Sequence, residues 1–373
     1  MAAILISSSN NELLSNAQIH RLLGLQVAKD ILGATEDSSP AEVGPLSNNY
    51  YSFTFSVKAR THSGSDDVFI KIPKADMRGM VPRILPLTLE DRRMAQEEES
   101  SLRLLAQKWN AKEQEVLWVN LRGTVPEYNA LVTDRIFADE ALPAFRRFDI
   151  LRRLGFQEYA QRLQRQMARM GAALGRFHQA NRRPLIFRLN EALPKLGFYC
   201  QDIAARSGSA WPLEILRILD SMADLELSGI EVPTLKGIDI RNMLIGKQDR
   251  IYLLDPGKTK PTHREADLAR FIMTYRILYW GSLKLLLLRE PDPRGESAFL
   301  KAYYANSSPP NPRMLDLFLL KELLKHWQTA LVSLQRLNWS AARKRLAAWI
   351  YVHPFYTRQI AAQLEVISNH HMP

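Results

Sequence analysis

Two stretches of the chain carry oxygen donors at spacings that suit metal and phosphate chemistry: Lys236-Gly-Ile-Asp-Ile-Arg-Asn-Met-Leu-Ile245 and Ile251-Tyr-Leu-Leu-Asp-Pro-Gly257. In the first, a loop holding Asp239 and Asn242 runs into an apolar strand. A tight turn and a second apolar strand then lead to Asp255. A hairpin of that kind sets Asn242 and Asp255 at the same end. A side-chain amide oxygen and a carboxylate are hard donors, suited to Mg2+ carrying phosphates, and such an ion neutralises charge on a transferring phosphoryl group. The plain alternative is a pair of polar residues that merely end two strands.

Three upstream pieces fit the same chemistry. Lys71 stands between apolar residues in Val68-Phe-Ile-Lys-Ile-Pro73. An ammonium on a half-buried strand needs a partner, either phosphate with a helix carboxylate or, on an outer edge strand, water alone. Glu97, Glu98 and Glu99 follow on a helix, and Glu98 lies four residues before Leu102, beside the apolar stripe. At least one of the three must face solvent. The turn Gly44-Pro-Leu-Ser-Asn-Asn-Tyr-Tyr51 offers backbone N–H groups of the kind that receive anionic oxygens, although most such turns hold no ligand.

The elements that would position these groups are legible in outline. Residues 1–40 read as an N-terminal extension: a helix over about Asn11 to Leu32, then a small, polar linker from Gly33 to Pro40. Residues 41–136 read as a small lobe. Tyr50 to Val57 and Val68 to Ile72 make an antiparallel hairpin, Thr88 to Gln107 a helix, and Glu115 to Leu121 and Ala130 to Ile136 two further strands. Residues 137–373 read as a large, mostly helical lobe. There Leu163, Met167, Met170, Leu174 and Phe177 form one buried stripe, and Asn242 to Ile245 and Arg250 to Leu254 are short strands. The fold class is α+β. In the last hundred residues Trp327, Trp339 and Trp349 read as core, and Arg343-Lys344-Arg345 as a solvated helix face or an anionic contact.

Bulk properties narrow the partners. A chain of 373 residues with 46% hydrophobic content can bury a large core. A formal charge of +11 favours anionic partners and disfavours polycationic substrates. The single cysteine, Cys200, excludes a disulfide within the chain and points to a reducing compartment, so the expected location is cytoplasmic. Phe271 to Leu288 comes nearest to a membrane span, but Arg276 and Lys284 interrupt it, and it reads as a buried helix.

Taken together and in this order, the motifs resemble the aminoglycoside/choline phosphotransferase branch of the protein kinase-like superfamily. GPLSNNYYSF is similar to that family's nucleotide-covering loop, FIKIPK to its third strand with the phosphate-pairing Lys71, and EEESSLRLLAQ to the helix whose glutamate, here Glu98, pairs with that lysine. NALVTDRI resembles the strand entering the interlobe hinge. MGAALGRFHQA resembles the helix ending in Leu-x-x-x-His, and EADLAR the Asp-Leu-Ala segment. IDIRNMLI and YLLDPGK resemble the catalytic loop and the metal-binding aspartate. The likeness spans about residues 43–275.

The resemblance implies a two-lobed kinase-like fold and an ATP- and Mg2+-dependent phosphotransferase acting on a hydroxyl of a small-molecule, glycan or lipid-linked acceptor, anionic by charge. Ser47, Asn48, Lys71, Glu98, Asn242 and Asp255 would contact the nucleotide, and Asn242 and Asp255 the metal. One position departs from the family. Its catalytic aspartate falls five residues before the asparagine, which here is Gly237, and the only nearby carboxylate is Asp239. Asp239 is therefore the candidate base, reached by a different loop path that Gly237 would permit through an unusual backbone conformation. The same departure supports an alternative, a nucleotide-binding pseudokinase serving as a regulatory or scaffold module. A basic adaptor for nucleic acid or membranes is a third reading; for the phosphotransferase the expected partners are a nucleotide, the anionic acceptor and a peripheral membrane contact, with nucleic acid disfavoured.

Overall fold

The computed structural model describes residues 14–34, 41–49, 51–62, 64–75, 82–279 and 290–369. Tyr50, Ser63, Asn11 to Leu13, residues 35–40 of the expected linker and residues 280–288 of the apolar stretch lie outside the described residues. The chain divides into two compact units. Met1–Lys112, Leu117–Phe137 and Asp255–Lys258 form the first; Glu113–Val116, Ala138–Leu254 and Thr259–Pro373 form the second.

The elements of the first unit are α1 (Asn16–Asp30), β1 (Glu42–Val43), β2 (Ser47–Asn49), β3 (Ser52–Thr61), β4 (Gly64–Pro73) and α2 (Leu89–Leu105), then β5 (Val116–Trp118), which starts in the second unit, β6 (Leu121–Val125) and β7 (Ala130–Asp134). The sheet is antiparallel, in the order β1-β3-β4-β7-β6, with β2 paired to β3. Strand alternation decides its faces. Phe53, Phe55 and Val57 of β3 and Val68, Ile70 and Ile72 of β4 share one buried cluster with Ile19, Leu23 and Val27 of α1. The N-terminal helix is thus part of the first unit's core, and not the extension expected for residues 1–40. It opens on a capping box between Ser15 and Gln18, and it buries apolar side chains that would otherwise be left exposed on the sheet.

Lys71 projects to the other face. β4 lies between β3 and β7, with Lys71 opposite Thr54 on one side and Leu131 on the other. It is an interior strand, so Lys71 does not guard an edge.

A second device ties α2 to β4. Thr88 caps the helix by accepting from the Asp91 N–H, and Asp91 accepts from the Thr88 N–H. Asp91 also accepts from Lys74 Nζ at 2.8 Å and from the Ala75 N–H at 2.7 Å. Burial opposes ionisation of Asp91, but these donors outweigh it and hold the carboxyl below its ordinary value. Glu98 falls seven residues later, two helical turns along the same face.

The second unit contains β8 (Asp139–Glu140), α3 (Ala141–Arg153), α4 (Gln157–Ala180), β9 (Arg183–Arg188), α5 (Leu189–Ser207), α6 (Trp211–Asp220), β10 (Glu226–Leu235), β11 (Met243–Ile245), β12 (Ile251–Leu253), β13 (Thr259–His263), α7 (Glu265–Arg276), α8 (Pro293–Asn306), α9 (Pro312–Arg336), α10 (Ala341–Ala347) and α11 (His353–Asn369). The expected stripe of α4, from Leu163 to Phe177, is buried throughout. α8 crosses α4 so closely that a Cβ on Gly171 would stand 2.1 Å from the Phe299 carbonyl oxygen.

A three-stranded antiparallel sheet, β13-β10-β9, is the element that sequence periodicity missed. Prolines hid it. Pro233 and Pro261 lie directly opposite one another in the β10–β13 ladder, where neither nitrogen has a proton to give. β9 pairs with β10 only up to Glu231, so Pro233 deprives no neighbour of a bond on that side. The tryptophan reading also needs correction: Trp327 is core at 1% exposure, whereas Trp339 and Trp349 are 47% and 71% exposed.

Candidate active site

Within the first unit, one ammonium gathers two carboxylates. Lys71 Nζ donates to both Glu98 oxygens at 2.8 Å and to Asp255 Oδ1 at 2.7 Å. The side chain of Glu98 is 9% exposed and that of Asp255 51%. Burial pulls the Lys71 ammonium down, but the charges of Glu98 and Asp255 outweigh it and leave its pKa above the ordinary value. Lys71 is therefore a fixed cation throughout the neutral range.

The backbone around Asp255 is unusual. Its φ is 51°, in the left-handed region, a conformation that costs on the order of 1–3 kcal/mol for most side chains and somewhat less for aspartate. Gly257 follows at φ 59°. Lys258 then forms an ion pair with Glu97, the neighbour of Glu98 on α2. The segment 255–258 is thus tied at both ends, by Asp255 to the strand lysine and by Lys258 to the helix. Sequence reading found Lys71, Glu98 and Asp255. It did not find the Lys258–Glu97 pair or the Lys74–Asp91 pair, whose only sequence signal is the i, i+7 spacing of Asp91 and Glu98.

The sheet register places the turn residues. Ser47 stands opposite Thr54, and Thr54 opposite Lys71, so all three share one row and one face, with Ser47 about 10 Å from Lys71. Asn48 stands opposite Phe53, in the row of Ile72, and alternation turns its side chain to the other face. Asn49 is the asparagine on the lysine side, donating to Thr54 Oγ1 at 2.8 Å. Only the backbone of Asn48 is suited to the role expected of it.

In the second unit, the loop from Leu235 to Asn242 is held at several points. Both Asp267 oxygens accept from the Leu235 N–H, at 3.0 and 2.9 Å, and Arg270 donates to the Leu235 carbonyl at 2.9 Å. His178 Nε2 lies 3.3 Å from Asp267, and both side chains are buried. His178 and Asp267 stood in the quoted motifs without a role; their role here is to fix the loop's entry. Asn242 Nδ2 donates to the Gly237 carbonyl at 3.2 Å, and the Leu254 N–H donates to the Asn242 carbonyl at 2.8 Å. Leu254 ends the hairpin, and Asp255 is the next residue of the chain.

Asp239 is occupied. It caps the short helical turn Ile240–Asn242, accepting from the Arg241 N–H at 2.8 Å and from Arg241 Nε at 2.9 and 3.0 Å, and its other oxygen also pairs with Arg241 Nη2. Gly237 does not adopt a left-handed conformation, so the backbone freedom particular to glycine is not used there.

The donor set fits a nucleotide with a divalent ion. One lysine already balanced by two carboxylates has no surplus charge for a polyphosphate, and an exposed carboxylate beside it is where a hard cation would supply that surplus. Among the described residues, no group of three or more His, Cys, Asp or Glu side chains forms a metal cage of protein ligands alone.

No family model matches this chain. No curated protein matches it either. Several solved structures are similar. An aminoglycoside phosphotransferase from Alicyclobacillus acidocaldarius is 11% identical over 98% of this chain and 99% of that one, with a TM-score of 0.49. The choline kinase of Streptococcus pneumoniae, solved also in complex with AMP, is 11% identical over 94% and 99%, with a TM-score of 0.46. An ethanolamine kinase from Plasmodium vivax is 10% identical over 95% and 90%, with a TM-score of 0.48. All three bear the names of small-molecule phosphotransferases. Identities this low leave the chemistry to be read from the chain's own side chains.

Proposed function

We propose that this chain is an ATP- and Mg2+-dependent phosphotransferase acting on a hydroxyl of a small-molecule, glycan or lipid-linked acceptor. The observation that carries the reading is Lys71, a permanent cation on an interior strand, held by buried Glu98 and by exposed Asp255. Lys71 would bind phosphate oxygens, Glu98 would keep its ammonium aimed, and Ser47 with the backbone of Asn48 would line the phosphate side. Asp255 and Asn242 would donate oxygens to the metal. A bound Mg2+ supplies charge stabilisation for the phosphoryl group. The formal charge of +11 supports an anionic acceptor over a polycation. A single cysteine, Cys200, buried and free, is in keeping with a reducing, cytoplasmic place.

A second reading, the nucleotide-binding pseudokinase, is favoured by the Asp239–Arg241 pair together with the absence of a carboxylate at Gly237. In the enzyme reading Asp239 serves as base only when Arg241 releases it. Mg2+-dependent ATP consumption should be followed against phosphorylated sugars and lipid-linked glycans, with the wild type and Asp255→Ala in parallel. Turnover lost in Asp255→Ala supports the enzyme. Equal activity in both proteins rejects it, and nucleotide binding without transfer to any acceptor selects the pseudokinase.

A further inference from the structure

The C-terminal region of the second unit exposes a set of side chains that the phosphotransferase reading does not use. Leu337, Trp339, Leu346, Trp349 and Ile350 are 41%, 47%, 54%, 71% and 50% exposed. Leu346, Trp349 and Ile350 fall at i, i+3 and i+4, so they share one side of a helical run that continues from α10 through a turn of π-helix, Ala348–Val352, into α11. The run stands on a firm base. Trp327 of α9 donates through Nε1 to His353 Nδ1 at 3.2 Å and stacks on Tyr356, and Val352, Phe355 and Ile360 are buried. The exposed residues are therefore held in place, not frayed ends of a helix.

The charge along this stretch of chain has one sign; Asp202 of α5, whose partner Arg206 bonds to Gln335, is itself paired with Arg206 and Gln328. Residues 323–364 contain six lysines and arginines and no aspartate or glutamate. Arg343 and Arg345 are exposed within α10 and form no ion pair among the described residues. Lys344 reaches back to the Gln335 carbonyl at 2.8 Å, which closes the segment between Arg336 and α10 into a compact projection.

We infer that this projection, residues 337–350, docks on the surface of an anionic lipid bilayer. Tryptophan beside aliphatic side chains, flanked by arginine and with no acid in the same stretch of chain, is the composition that partitions to the headgroup level of a membrane. Each cation near an anionic surface adds attraction that salt weakens. A second copy of the chain fits worse, because its own projection would set Arg343 and Arg345 against the same cations with no carboxylate to answer them. Nucleic acid fits worse as well, since Leu346 and Ile350 neither stack on bases nor bond to phosphates. Among the described residues no helix is long and apolar enough to cross a membrane, so the contact is peripheral.

The test is co-sedimentation of the full chain with vesicles of phosphatidylcholine alone and of phosphatidylcholine containing phosphatidylglycerol. Binding should appear only on the anionic vesicles, weaken with added salt, and bring tryptophan fluorescence within quenching range of brominated acyl chains. Arg343→Glu with Arg345→Glu should lower the partition coefficient at least about 20-fold, from about fivefold for each lost cation. Leu346→Ser with Trp349→Ser should abolish bromine quenching. Both double variants should unfold at the wild-type temperature, since the residues are exposed. No binding to anionic vesicles, or binding that neither double variant changes, would overturn the inference. So would a wild-type dimer that Leu346→Ser with Trp349→Ser converts to monomer without altering vesicle binding, or RNA binding by a protein that ignores the vesicles.

Discussion

Lys71 Nζ donates to Asp255 Oδ1 at 2.7 Å across 184 residues of chain, while the same ammonium spans both oxygens of Glu98 at 2.8 Å. Glu98 is the buried member of this trio and Asp255 the exposed one. Lys71→Met therefore strands a buried carboxylate, and it should destabilise the fold by about 2 kcal/mol, below the value for a wholly buried pair because the lysine keeps some contact with water. Lys71→Met combined with Glu98→Leu removes the stranded charge and should recover most of that loss. Urea denaturation of wild type, Lys71→Met, Glu98→Leu and the double variant gives the comparison. A double variant as unstable as the sum of its two single changes would show that the pair is not a coupled unit.

The Asp239–Arg241 pair separates two roles for one carboxylate. If Asp239 is the base, Arg241→Ala frees it, and turnover should rise while Asp239→Asn abolishes it. If Asp239 only caps the turn Ile240–Asn242, both changes leave the cap in place, because its bond comes from the Arg241 backbone N–H and asparagine caps as well as aspartate; each should then shift stability by less than about 1 kcal/mol, and neither should move the ratio of kcat to KM by more than that loss explains. Steady-state kinetics paired with thermal unfolding distinguishes the outcomes. The guanidinium is 58% exposed, so its removal leaves no cavity.

Packing in the second unit gives a prediction independent of chemistry. Gly171→Ala would place a methyl group 2.1 Å from the Phe299 carbonyl oxygen, and Gly175→Ala one 2.8 Å from that of Tyr303. Alanine gains roughly 1 kcal/mol of helix propensity over glycine, but α8 must move away and loosen its contact with α4. Gly171→Ala should cost about 2 kcal/mol or more, and Gly175→Ala less, both measured by thermal unfolding. A stabilised Gly171→Ala protein would mean that α8 does not press on α4 this closely.

These elements also show what a linear reading can and cannot reach. Lys71 was legible because a lone cation interrupts an apolar alternation, and Glu98 because it stands beside Leu102 on the helical stripe. The α4 stripe was legible by its spacing alone. The β10–β13 pairing was not, because Pro233 and Pro261 break the strand pattern locally and are accommodated only by facing each other. The side of the sheet taken by Asn48 depends on its register with β3, which turns on a single residue's shift. Trp339 and Trp349 were misjudged because aromatic content says nothing of which helix face has a neighbour. The occupation of Asp239 by Arg241 depends on a turn conformation that spacing does not encode.

Acid should unfold the second unit in a defined window. Burial, with smaller contributions from Lys325 and Arg241, pushes His326 down to about 4 against the opposing pull of Glu322 and Asp239. Burial also lowers His263 and His353. A histidine lowered in the folded state binds its proton more readily when unfolded. Its stability contribution is complete above the ordinary pKa of 6.5 and is lost as pH falls toward 4. For His326 that loss amounts to about 3 kcal/mol. His326→Gln should flatten the slope of stability against pH by about one proton in this range. An unchanged slope would mean that His326 takes up its proton while folded.

The most direct test of the nucleotide site is calorimetric titration with ADP, with and without Mg2+, on the wild type, Asp255→Ala and Lys71→Met. The wild type should bind ADP more tightly when Mg2+ is present, Asp255→Ala should lose that increment while keeping its Mg2+-free binding, and Lys71→Met should weaken both. A wild-type protein with no affinity for ADP, or an Mg2+ increment that survives Asp255→Ala intact, would contradict the assignment of Lys71 and Asp255 to a nucleotide and its metal.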